Sequence, residues 1–271
     1  MKDQVPKSVL KGVPREGDGT PAEQLTIGVP MARIVARKIL DAPEIVMLSQ
    51  PRSIAAEKFR RLKTVLMNLE EHESPQVIVI TSATPGDGKS MVSMNLALAF
   101  AADGTGEVLL VDADMRRPTI ERWLSPAPTL GLSEILSGHT TLEHAVLDIK
   151  GSPLRILPAG NPPKETAELL ASDACASFVG GLRKLYQRII IDTPPIVPFS
   201  DADVVGGLSD GIVMVVREGV TPRGLFLQAL QAVSSTFVLG TVLNDTTYNL
   251  ADRHLYHENY YTRYYDRDRK K

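Results

Sequence analysis

The chain has 271 residues, of which 43% are hydrophobic and 23% charged, and its formal net charge is −2, a balance that gives no global argument for binding nucleic acid. A single cysteine, Cys175, excludes an intramolecular disulfide. No apolar run approaches the roughly 18 to 20 residues of a membrane span, and the charged start, MKDQVPKSVLKG, lacks the apolar core of a secretory signal. The expectation is a cytoplasmic protein with one large domain and extensions.

Residues 1–48, with prolines, glycines and interspersed charges, read as a partly disordered N-terminal extension carrying one weak helical stretch over 31–40. From Ser53, a candidate cap, Ala56, Phe59, Leu62, Val65, Leu66 and Leu69 recur at three- and four-residue steps and predict a helix. The run Val77, Ile78, Val79 and Ile80 is too short for a helix and predicts a buried strand. It leads directly into SATPGDGKS, and the helix expected over 91–101 follows.

Pro85, Gly86 and Gly88 free the backbone to curl so that successive N–H groups face phosphate oxygens. The cradle comprises Thr84, Pro85, Gly86, Asp87, Gly88, Lys89, Ser90 and Met91. Lys89 supplies a point charge for the β- and γ-phosphates of ATP, Ser90 a hydroxyl for Mg²⁺, and the helix its positive dipole end. Ala83 stands where the G-x-x-x-x-G-K-S/T pattern has its first glycine, a chemically small departure.

Further strands are expected at EVLLVD, LRILPAG, RIIID, GIVMVVRE and FVLGTVLND, with helices over 164–171, 174–186 and 222–235 and short helices and loops over 118–150. Strands alternating with helices at this spacing imply an α/β, P-loop NTPase-type, doubly wound and mainly parallel sheet with helices on both faces. Ligands in such folds sit beyond the carboxyl ends of the strands.

Asp112 and Asp114 lie two apart at one such end and Asp192 closes another, so a cation held by Ser90, Asp114 and Asp192 is expected, with Asp112 as the base that takes the nucleophile's proton. Arg116 and Arg117 either neutralise charge on the phosphates or are solvated surface. Asn244, ending the last strand, either contacts the adenine or serves a turn. Asp201 and Asp203 lie near the site or cap a helix. The domain is expected over 49–247 and a tail over 248–271, where Tyr256, Tyr260, Tyr261, Tyr264 and Tyr265 fall among basic residues.

These stretches resemble the cytoplasmic domain of bacterial tyrosine kinases, the P-loop autokinases of capsule and exopolysaccharide synthesis. The phosphate loop matches at 83–90, the motif of three apolar residues and D-x-D-x-R at 109–116, and that of three apolar residues and D-T/S-P-P at 189–195; the tyrosine cluster is the fourth element. The resemblance implies ATP and Mg²⁺ as cofactors and autophosphorylation of the five tail tyrosines. It also implies a ring-shaped homo-oligomer through E-x-x-R-x-x-R, matched by Glu57 and Arg60 with Lys63 in the third position.

A transmembrane polysaccharide co-polymerase that activates the chain and holds it at the inner face of the membrane is implied in turn, as is an opposing tyrosine phosphatase. The alternatives are a partitioning or septum-positioning ATPase with a membrane-binding tail, whose signature lysine would replace Thr84, and a nucleotide-dependent scaffold.

Overall fold

The computed structural model describes residues 38–40, 42–69, 74–104 and 106–246. The five tail tyrosines and most of the expected N-terminal extension lie outside them. Of the helix expected over 31–40, the described part is extended instead: β1 (Lys38–Ile39) pairs antiparallel with β4 (Leu124–Ser125). The Leu40 N–H continues the contact to the Trp123 carbonyl at 2.7 Å. Ile39, Ala42, Ile45 and Met47 are buried in the same apolar layer as Trp123, so packing begins ahead of residue 49.

A single turn, α1 (Val46–Ser49), precedes α2 (Ile54–Met67). Ser53 caps α2 as the sequence suggests, its hydroxyl accepting the Ala56 N–H at 3.1 Å. Strand β2 (Val77–Ser82) is buried along its whole length and leads through the glycine-rich loop into α3 (Lys89–Ala101). Helix α3 has almost no polar face because it is sandwiched between the sheet and α2.

After β3 (Val108–Asp112) come a 3-10 turn (Ile120–Trp123), β4, α4 (Leu132–Leu136), α5 (Leu142–Ala145), β5 (Leu147–Asp148) and β6 (Leu154–Leu157). The chain then runs through α6 (Thr166–Leu170), α7 (Asp173–Leu185), β7 (Arg188–Asp192), α8 (Asp201–Gly206), β8 (Gly211–Arg217), α9 (Arg223–Ala232) and β9 (Val238–Asn244).

Seven strands form one sheet in the order β5-β6-β3-β7-β2-β8-β9, parallel except for β5, which runs antiparallel to β6. Alternating side chains feed two cores. Ile78, Ile80, Leu110, Ile190 and Val213 face α1, α2 and α3, whereas Val77, Val79, Leu109, Val111, Ile189, Ile191 and Met214 face the layer of α7, α8 and α9. The strands read as continuous apolar runs because both faces are covered. Cys175 sits in the second core, where burial pushes its thiol up to about 11.

Register decides where the chemistry lies. Asp112 and Asp192 are direct neighbours across β3 and β7, and Ile80 of β2 lies beside Asp192 on the other side. Two carboxylates and the entry to the glycine-rich loop therefore meet at one end of three adjacent strands.

Candidate nucleotide site

The loop's curl is carried by Gly86 and Gly88, at φ 87° and 95°, a region that disfavours any side chain. At Gly88 a Cβ would also collide with the side-chain amide of Asn244. Ala83, by contrast, is fully buried with its methyl in the second core, so the missing first glycine leaves the packing intact.

Lys89 is the first residue of α3 and turns back toward the strand ends. Its Nζ is 2.7 Å from Asp114 Oδ2, 3.3 Å from Ser90 Oγ and 4.0 Å from Asp192 Oδ2. Burial works against the ammonium's charge, but Asp192 and Asp114 more than offset it and hold its pKa above the ordinary lysine value.

Asp192 is fully buried; Oδ1 accepts the Ser93 hydroxyl at 3.1 Å, while Oδ2 has no hydrogen-bond partner. Its pKa is raised, first by burial, against the opposing pull of Lys89. Asp112 is equally buried: Oδ1 accepts the Asp114 N–H at 3.0 Å, and Oδ2 accepts Thr119 and Ile120 N–H groups, both at 3.2 Å. Burial and then the neighbouring Asp192 push its pKa well above the ordinary carboxylate value. Asp114 Oδ1 accepts the Arg117 N–H at 3.0 Å.

One ammonium therefore faces three buried carboxylates, and one carboxylate oxygen is left without a hydrogen-bond donor. A hard dication with oxygen ligands fits that set. Among the described residues no three His, Cys, Asp or Glu side chains converge as a metal cage, so such an ion would draw its remaining ligands from phosphate and water.

The arginines divide. Arg116 is tied in a two-pronged ion pair to the fully buried Asp201, with Nε 2.7 Å from Oδ2 and Nη2 3.1 Å from Oδ1, and it stacks on Phe199 at 4.4 Å. Its side chain is thus anchored at Asp201 while remaining about a third exposed, at 32%. The Arg117 side chain is exposed. Asp203 accepts the Ser234 and Ser235 N–H groups beyond α9 rather than capping its own helix.

Two participants, Ser93 and Thr221, are not singled out by the sequence, whereas Asn244, expected at the adenine or in a turn, contacts the phosphate loop. Ser93 bridges Asp192 and the Lys89 carbonyl, and its one signal is its place one turn after Lys89. Thr221 donates to Asp87 Oδ1 at 2.7 Å, and a threonine before Pro222 signals only a helix start. Asn244 donates through Nδ2 to the Asp87 carbonyl at 2.9 Å and so touches the loop itself.

Away from the site, Arg60 pairs with Glu57 at 2.9 Å and donates to the Pro51 carbonyl, while Lys63 pairs with Asp103 at 2.6 Å. All three side chains of that motif have partners within one chain.

A strand, a glycine-rich loop closing on Gly-Lys-Ser, a helix starting at that loop and carboxylates on neighbouring strand ends define a P-loop nucleotide-binding fold. No model of a known protein family matches the chain. It is 33% identical over 202 residues to the tyrosine-protein kinase YwqD of Bacillus subtilis (strain 168), a match covering 74% of this chain and 85% of that protein. It is 35% identical over 209 residues to the succinoglycan biosynthesis transport protein ExoP of Rhizobium meliloti (strain 1021), but spans only 26% of that protein's length and 75% of its own.

Among solved structures, the chimerical protein CapA2B2 superposes with a TM-score of 0.72 at 30% identity, over 79% of this chain and 95% of that one. The chain belongs to the bacterial tyrosine-protein kinases.

Proposed function

We propose that this chain transfers the γ-phosphate of ATP to tyrosines of its own C-terminal cluster, Tyr256, Tyr260, Tyr261, Tyr264 and Tyr265, and thereby regulates exopolysaccharide or capsule polymerisation and export. The observation that carries the reading is the convergence of Lys89, Ser90, Asp114 and Asp192 below the glycine-rich loop, in a chain whose relatives are named tyrosine kinases.

In this proposal the backbone of Thr84 to Met91 cradles the phosphates and Lys89 exchanges part of its contact with Asp114 for the β- and γ-oxygens. Ser90, Asp114 and Asp192 would hold Mg²⁺, which neutralises charge on those oxygens when bound. The tyrosine oxygen forms a bond to the γ-phosphorus as the bond to the leaving ADP breaks.

Asp112 takes the phenolic proton. Its Oδ1 accepts one N–H and its Oδ2 two, so Oδ1 keeps a lone pair for the proton. A free phenol has a pKa of about 10, so a base whose own pKa is raised assists the attack.

One relative, ExoP, is a succinoglycan biosynthesis transport protein, and the similar solved structure CapA2B2 is a chimerical protein. On these grounds a transmembrane co-polymerase is the proposed activator, holding the chain at the inner membrane face; a homo-oligomeric ring through Glu57, Arg60 and Lys63 is proposed from the E-x-x-R-x-x-R match alone. Among the described residues no helix is long and apolar enough to cross a membrane.

Purified protein with Mg-ATP decides the matter. Phosphotyrosine mapped to the tail is the expected result. Released phosphate without phosphotyrosine would indicate an ATPase, and neither product would indicate a scaffold.

A further inference from the structure

Asp87 sits in the middle of the glycine-rich loop yet is fully buried, and its carboxylate is engaged by Thr84 and Thr221. Oδ2 accepts the Thr84 N–H at 3.0 Å, and the Thr84 hydroxyl lies 3.0 Å from both oxygens, so the start of the loop is tied to its fourth turn residue. The shortest bond comes from outside the loop: Thr221 Oγ1 to Asp87 Oδ1 at 2.7 Å.

Thr221 is itself oriented. Its hydroxyl oxygen accepts the Arg217 N–H at 2.8 Å, which directs the O–H proton toward Asp87, and its own N–H donates to the Arg217 carbonyl at 3.0 Å. The turn between β8 and α9 is thus closed around this one side chain. With the Arg217 bond accepted and the Asp87 bond donated, the hydroxyl is used in both senses.

We propose that Thr221 is a positioning residue for nucleotide binding: through Asp87 it fixes the curl of the phosphate loop, so that the N–H groups of 86–90 are aimed before the nucleotide arrives. This rests on the reading that the loop holds ATP phosphates. A hydrogen bond to a carboxylate is about twice as strong as one between neutral groups, and a buried carboxylate deprived of a donor will rearrange the groups around it. Those groups are the loop. Without the hydroxyl, the Asp87 carboxylate retains Thr84, inside the loop, as its partner among the described residues, and the link from the sheet to Asp87 is left to the Asn244 amide on its carbonyl.

The comparison is Thr221→Val, which keeps the shape and removes the hydroxyl, against Thr221→Ser, which keeps the hydroxyl. Binding of Mg-ADP is measured by titration calorimetry, and the unfolding midpoint is measured without nucleotide. The expected result is about tenfold weaker binding for the valine variant and binding within about twofold of wild type for the serine variant. The loss should exceed any difference that the apo unfolding midpoints of the two variants account for.

Equal affinity of wild type and Thr221→Val overturns the proposal, as does a loss shared by the serine variant. A wild-type chain that takes up no Mg-ADP overturns the nucleotide reading itself, and the assignment of Thr221 with it.

Discussion

Lys89 Nζ lies 2.7 Å from Asp114 Oδ2 and 4.0 Å from Asp192 Oδ2, so a single buried ammonium joins the loop helix to the ends of two strands. The same group that is assigned to the phosphates is thus an internal counter-ion before any nucleotide binds.

Lys89→Met is accordingly expected to act on two levels. Tail phosphorylation should fall by at least about 10²-fold, since a preorganised charge at the transferring group is lost. The fold should survive by circular dichroism with a lowered denaturation midpoint, because breaking a buried ion pair costs about 3–5 kcal/mol. Undiminished phosphotyrosine in this variant would remove Lys89 from the site.

Asp112→Asn tests the base. The amide presents one acceptor where the carboxylate presents two, leaving either the Asp114 N–H or the Thr119 and Ile120 pair facing an NH₂ group. The expected cost is about 1–3 kcal/mol of stability together with a large loss of rate. Single-turnover phosphorylation within about tenfold of wild type would exclude Asp112 as the proton acceptor.

Asp210 gives a pH signature away from the site. Burial opposes its charge, but the two-pronged bond from Arg183 at 2.8 and 2.9 Å, with N–H groups of Val77 and Gln76, holds its pKa below the ordinary aspartate value. A depressed folded-state pKa means that the unfolded chain binds the proton first on acidification. The contribution is present above the ordinary aspartate value of 3.8 and is lost as pH falls through the folded value. Asp210→Asn should cost about 1.5 kcal/mol near neutrality, a low figure because the pair is about a third exposed. Urea denaturation of both proteins should converge toward acid; a gap that widens there contradicts the assignment.

Phosphorylation should reverse the charge of the tail. Residues 252–271 hold six basic and four acidic side chains, a net of +2, and each phosphate adds about −1.5 to −2. Two phosphates therefore turn it negative, and the repulsion is expected to loosen the proposed ring through Glu57, Arg60 and Lys63. Light scattering should report a smaller mass after incubation with Mg-ATP. Identical masses would count against this.

Much of the sheet was legible because its strands are buried on both faces, so Val77–Ile80, Leu109–Val111 and Ile189–Ile191 appear as unbroken apolar runs. The two-residue strands β1 and β5 were not, since their pairing depends on partners elsewhere and leaves no local period. The convergence of Lys89, Asp112, Asp114 and Asp192 followed from strand ends. What local pattern could not reveal was pairing across the fold: Arg116 with Asp201 is 85 positions apart, Thr221 with Asp87 134, and Asn244 with Asp87 157. Thr221 looks in sequence like an ordinary turn residue, and although Arg116 and Asn244 stood out as candidates, no local pattern names their partners.

Asn244 belongs to β9, which among the described residues has a strand neighbour on β8 alone and leaves Leu243 54% exposed. An outermost strand is the first to fray, and this one carries the amide that occupies the space beside Gly88. When the edge breathes, the loop loses a wall and gains room for conformations that do not fit phosphate. Slow hydrogen exchange in β9 and tight nucleotide retention should therefore rise and fall together.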